Sequence, residues 1–162
     1  MRGTLVGLAL LLSVTSAALA DEAPTLLPGS VAIVKGTTIG CIPVTGGTGI
    51  RCAAQAGLSV TLSKTGAVRV TRGKKVVLSR SPASAAGKQL KLGINSGFML
   101  PGASIYCHVY AAPAPTLTCS TIEPAGGLPK TYGFDMSKRR VTIFQYGNNH
   151  DRHDLKTLRN ST

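Results

Sequence analysis

The sequence predicts an all-β fold, a small sandwich or open barrel of antiparallel hairpins, clipped by two disulfides and built from two halves that echo one another. Three observations carry that expectation. Apolar and polar residues alternate with a period of two over several short stretches. The 19 glycines and nine prolines punctuate the 162 residues at intervals that suit turns between short strands. Beyond the first twenty residues, no segment sustains a helical period over ten positions.

The first twenty residues carry one charge, Arg2, then an apolar stretch from Leu5 to Leu12, then small residues ending in Ala18-Leu19-Ala20. That order is the pattern of a secretory signal peptide, and the apolar run is shorter than the roughly 18 residues a membrane span needs. Cleavage after Ala20 is expected, which makes the protein secreted or periplasmic, with no transmembrane segment in the mature chain. No cysteine follows the cleavage site before Cys41, which argues against a lipid anchor. Residues 21–29, with two prolines, read as a mobile linker. Residues 30–146 read as the β domain, and residues 147–162 as a polar tail with at most a helical turn near Leu155 to Leu158.

Within the domain the strands follow in order. Ser30 to Val34 is rich in β-branched residues, as a strand covered on both faces or at an edge would be. Thr37 to Cys41 and Gly49 to Cys52 flank a loop containing Gly46 and Gly47, which reads as a hairpin. Leu58, Val60 and Leu62 alternate with Ser59, Thr61 and Ser63, and Val68 and Val70 alternate with Arg69 and Thr71. A third strand of that meander is expected at Val76 to Leu78, followed by a surface loop from Ser79 to Gly87. Alternation resumes at Lys88 to Leu92, with Leu90 and Leu92 inward. Ile105 to Tyr110 and Thr116 to Cys119 repeat the first hairpin around Ala111 to Pro115, whose prolines bar an interior strand. Tyr132 to Met136 and Val141 to Phe144 form the last hairpin.

Four cysteines in an exported chain imply two disulfides, with three possible pairings. Spacing favours Cys41 with Cys52 and Cys107 with Cys119, because each pair lies on the two arms of one hairpin, within bridging range. A zinc site would need tighter Cys pairs than these, so no metal and no cofactor are expected.

The order Thr38-Ile-Gly-Cys41, Gly49-Ile-Arg-Cys52, Leu92-Gly93, Gly102-Ala-Ser-Ile-Tyr-Cys107, Leu117-Thr-Cys119 and Gly133-Phe134 resembles an uncharacterised family of small exported bacterial domains with two Cys pairs. The likeness spans residues 30 to 146, and the chain departs from that pattern in lacking acidic residues around its cysteines. The resemblance implies export, paired disulfides and a β fold, and carries over no catalytic residue.

Charge is the strongest anomaly of composition. Removing Arg2 from the 18 basic residues leaves 17 against 6 acidic ones, a formal +11 for the mature chain. Between Ala23 and Ile122 there is no Asp or Glu, while ten Lys and Arg fall in that span. Such a field draws polyanions from a distance. Arg69, Arg72, Lys74, Lys75, Arg80, Lys88 and Lys91 are the candidate anion-binding residues, on the expectation that Arg69 and Lys91 share the outward face of adjacent strands. An anionic glycan, a phospholipid or an acidic protein would suit them. Nucleic acid is disfavoured, because no stacking aromatic interleaves these cations. Catalytic groups are sparse. Inside the domain the only carboxylates are Glu123 and Asp135, His108 alternates away from Cys107, and His150 and His153 fall in the tail. The reading is therefore an exported, non-catalytic binding domain. Two alternatives stand beside it: an inhibitor of a secreted enzyme presenting Ala111 to Pro115, and a hydrolase using Glu123, Asp135 or His108.

Overall fold

The structure, a computed structural model, describes residues 23–54, 57–73, 89–111, 113–122, 131–147 and 151–159. They form twelve strands: β1 (Val31–Val34), β2 (Gly40–Pro43), β3 (Gly49–Ala53), β4 (Leu58–Ser63), β5 (Val68–Arg72), β6 (Gln89–Leu92), β7 (Gly97–Leu100), β8 (Ile105–Tyr110), β9 (Thr116–Thr121), β10 (Thr131–Met136), β11 (Arg140–Tyr146) and β12 (Arg152–Arg159). Two sheets of six strands, ordered β5-β4-β3-β2-β1-β6 and β12-β11-β10-β9-β8-β7, pack as an open sandwich. Short 3-10 turns at Thr45–Gly47 and Pro101–Ala103 precede β3 and β8. The first uses Gly46 and Gly47 at φ of 80° and 66°, a region glycine enters without a Cβ penalty. No helix among the described residues is long and apolar enough to cross a membrane.

The two halves share one plan. In each, a short arm precedes a meander whose first strand takes up a parallel neighbour, and the neighbour is the arm of the other half. Residues 89–92, just before β7, run parallel to β1, with Ala32 opposite Leu90 and Val34 opposite Leu92. Just before β1, Thr25 bridges Met99 of β7 in parallel, supported by Leu26 N–H to Met99 O at 2.9 Å and Met99 N–H to Pro24 O at 2.9 Å. Parallel pairing needs a long connection, and here residues 35–88, which include β2 to β5, separate β1 from β6. The expectation of a mobile linker over 21–29 is therefore corrected for residues 24–26. Leu26 is only 1% exposed and belongs to the core, so the arm is held by burial as well as by backbone hydrogen bonds.

The C-terminal segment is a second correction. Residues 152–159, expected as a tail with a helical turn, are the edge strand β12, paired with β11 from Arg140–Arg159 to Tyr146–Arg152 with a bulge opposite Ile143 and Phe144. Backbone pairing, rather than an apolar face, forms this strand, since every residue but Leu158 is exposed. The strand expected at Val76 to Leu78 and the loop from Ser79 to Gly87 lie outside the described residues, as does the segment before residue 23.

The core lies between the sheets. Ala32, Cys41, Cys52 and Val60 form its central row on the first sheet, and Phe98, Cys107, Cys119 and Phe134 form that of the second. Cys41 is bonded to Cys52 and Cys107 to Cys119, each pair directly opposite on neighbouring strands with Cα atoms 4.0 and 4.1 Å apart. The spacing-based pairing is therefore the observed one. Each bridge closes a loop of about a dozen residues, worth about 3 kcal/mol in the chain-entropy account. All four cysteines are at most 1% exposed, so the disulfides also fill the interior that a chain with three Phe and no Trp leaves to small side chains.

Candidate functional site

With the cysteines pointing inward, strand alternation fixes what each sheet shows to solvent. On the first sheet, Arg51 of β3, Thr61 of β4 and Arg69 of β5 lie side by side in one outward row. Arg51 and Arg69 are exposed and stand two strands apart, about 10 Å at ordinary sheet spacing. Lys35 and Lys64, both exposed, sit in the turns after β1 and β4. No carboxylate occurs in the sequence from 23 to 122, and the salt bridges among the described residues belong to Arg152, on the other sheet.

The expected cluster is rearranged by this topology. Arg69 and Lys91 are not on adjacent strands: β5 and β6 are the opposite edges of the sheet, with four strands between them. Arg72 is three positions from Arg69 and so faces the other way. It lies opposite Leu58, and its guanidinium donates to the Arg159 carbonyl at 3.1 Å, tying the edge of the first sheet to β12. Lys74, Lys75, Arg80 and Lys88 lie outside the described residues. Arg51, left out of the sequence-based set, takes the place of Lys91 as the neighbour of Arg69. Its signal was present in Ile50-Arg51-Cys52, where alternation sends it away from a buried cysteine.

The outward face of the second sheet has a different chemistry. Tyr106, His108 and Tyr110 follow one another along β8, with ring centroids 6.0 and 4.6 Å apart, and the Tyr106 hydroxyl is 3.1 Å from His108 Nδ1. Two strands away, Asp135 of β10 accepts a hydrogen bond from Thr118 Oγ1 at 2.8 Å and pairs with Arg152 of β12. Arg152 also reaches Asp154 at 2.9 Å, and its guanidinium lies 4.1 Å from the centre of the Phe144 ring. Partial burial opposes the charge on Arg152, but the hydrogen bonds to Asp135 and Asp154 and their Coulomb attraction outweigh it and hold its pKa above the usual arginine range.

Phe144 is the pivot of this cluster. Alternation places it on the outward face, apart from the core, yet it is fully buried. Its ring rests on Gly133, where a Cβ would come within 2.6 Å of the ring and 2.4 Å of the Cys119 carbonyl. Arg152 covers it from above, and Tyr146 meets it edge-on at 5.4 Å. Sequence reasoning missed the set because it spans β9 to β12, and residues 152–159 read as a tail.

Of the groups a hydrolase would use, Asp135 is engaged by Arg152 and Thr118, His108 sits beside two tyrosines, and Glu123 lies outside the described residues, as does His150. His153 is exposed on β12. Among the described residues no three His, Cys, Asp or Glu side chains gather at a point. Comparison with known proteins gives no match: no family model fits the chain, and no curated protein or solved structure is similar to it.

Proposed function

We propose that the protein is an exported, non-catalytic binding domain that holds anionic glycan chains on the outward face of its first sheet. The observation that carries this reading is the Arg51–Thr61–Arg69 row in a stretch free of acidic residues. Two guanidiniums about 10 Å apart on a rigid sheet give repeated anionic groups fixed, uncompensated partners, and a hydroxyl lies between them. Disulfides on both central hairpins suit an oxidising compartment, where such polymers are exposed. Long-range attraction by the net charge would speed the encounter, while the row would decide where the polymer rests.

The test separates placement from net charge. Heparin retention of the full chain is compared with that of Arg51→Glu/Arg69→Glu and of Lys138→Glu/Arg139→Glu, which changes the charge equally on the turn before β11. Elution of the first variant at clearly lower salt than the second supports the row. Equal shifts, or passage of the unaltered protein straight through at low salt, would overturn it. Anionic vesicles run in parallel: retention of the unaltered protein by vesicles and not by heparin would transfer the reading to phospholipid.

A further inference from the structure

From the corner where β5 of the first sheet meets β12 of the second we infer a separate site, one for a single tetrahedral dianion of the phosphate type. Arg140 begins β11 and Arg159 ends β12, and the two stand directly opposite one another on neighbouring antiparallel strands. Their Cα atoms are therefore about 5 Å apart, and both residues are exposed. Arg72, at the end of β5, comes to the same place, since its guanidinium donates to the Arg159 carbonyl at 3.1 Å. Three arginines from three strands and both sheets are thus gathered around one small region of surface.

Further along the outward side of the β11–β12 ladder, polar residues answer one another. Thr142 and Thr157 share a hydrogen bond at 3.2 Å, and beyond them Asp154, opposite Phe144, pairs with Arg152. At Arg140 and Arg159, by contrast, like charges face each other, an arrangement that costs stability while nothing lies between them. No carboxylate among the described residues relieves it. Asp135 and Asp154 are taken up by Arg152, and Asp151 precedes the far end of β12, about 25 Å away along an extended strand. Lys138 and Arg139, both exposed in the turn before β11, raise the positive potential further.

The spacing of the cations selects the occupant. In the Arg51–Thr61–Arg69 row the guanidiniums stand about 10 Å apart, which suits successive groups of a polymer. Arg140 and Arg159 are half as far apart, so their forks can converge on one group. A tetrahedral dianion has oxygens on several sides and enough charge to answer more than one arginine, whereas a carboxylate offers one charge in one plane. A guanidinium carries five N–H groups, so Arg72 can donate to the ligand while keeping its bond to the Arg159 carbonyl. An anion held there ties β5 to β12, and its binding reads out as stability of the whole sandwich. The inference does not rest on the cationic row, and the two can fail separately.

Inorganic phosphate is the probe, exchanged for chloride at constant ionic strength and neutral pH, with the melting temperature of the full-length mature chain as the readout. The expected result is a rise specific to phosphate, whose half-saturating concentration increases about tenfold or more in Arg140→Gln/Arg159→Gln. Arg51→Glu/Arg69→Glu should keep the rise, although it alters the net charge twice as much. In chloride alone the glutamine pair should melt at or above the wild-type temperature, because it removes a repulsion, whereas loss of a merely structural pair would lower it. No phosphate-specific rise would overturn the inference, as would a rise that survives the glutamine pair or disappears with the first-sheet reversals. A lower melting temperature of the glutamine pair in chloride would overturn it too. Phosphatidylcholine vesicles with and without phosphatidic acid separate the sources of the group. Capture that needs phosphatidic acid, Arg140 and Arg159, and that free phosphate competes away, marks a lipid headgroup; phosphate-dependent stabilisation without such capture marks a soluble phosphomonoester.

Discussion

Replacing Arg152 by alanine tests whether β12 is a structural strand or an ornament. The side chain makes three contributions that alanine removes together: a charge-assisted pair with Asp135, a second with Asp154, and the cover over Phe144. Charge-assisted hydrogen bonds contribute about 1.5–3 kcal/mol when shielded, but the Arg152 and Asp154 side chains are 34% and 55% exposed, so solvent screening leaves about 1 kcal/mol for the ionic part. The ring contact and the apolar area uncovered on Phe144 add about 1 kcal/mol more. Arg152→Ala should therefore cost about 2 kcal/mol in urea unfolding with both disulfides intact. Arg152→Lys keeps a charge but loses the planar fork and the stacking, and should cost about half as much. In 1 M NaCl the difference between wild type and Arg152→Ala should shrink toward the ring contribution. A change within 0.3 kcal/mol of wild type in low salt, with no effect of salt, would refute the assignment of Arg152 as the clamp of the outer face.

Three other perturbations follow from the same geometry. Gly133→Ala pushes a Cβ into the Phe144 ring and the Cys119 carbonyl, so a loss of about 2–3 kcal/mol is expected, and Phe144→Leu in that background should recover only part of it because the carbonyl remains; full recovery would place the strain in the ring alone. Non-reducing peptide mapping should yield Cys41 linked to Cys52 and Cys107 linked to Cys119, and Cys41→Ser/Cys52→Ser should lower stability by about 3 kcal/mol in thermal unfolding. Leu26→Ala should cost about 2–4 kcal/mol, as a core residue does, whereas a free linker would show no change in the same melt.

Much of the sandwich was legible because its buried residues repeat in phase with its cysteines. Ile50, Cys52, Leu58, Val60 and Leu62 alternate with polar neighbours, and so do Ile105, Cys107 and Val109, which is why the hairpins and both disulfides could be placed from spacing. What escaped lacks a local signal. The run from Arg152 to Arg159 buries almost nothing, so its strand character comes from β11 beside it and from one arginine reaching back to Asp135. Residues 24–26 hold a single core leucine between prolines, and their partner lies far along the chain. The cationic cluster failed as drawn because closeness in sequence does not give closeness across a sheet: strand order carried Lys91 to the far edge, and the parity of a three-residue step turned Arg72 away from Arg69. Phe144 was the recoverable omission, since alternation along Val141-Thr142-Ile143 puts it on the face opposite Val141 and Ile143, together with Thr142.

The exchanged arms bear on how the molecule comes to be made. A chain delivered N-terminus first presents Thr25 and Leu26 long before Met99 exists to receive them, and β1 waits in turn for residues 89–92. Neither half can finish its sheet alone, so the two must mature together, and the late step is the capture of two distant segments. At high concentration the same vacancy can be filled by a neighbouring molecule's arm, which makes reciprocal exchange between chains the natural error of assembly.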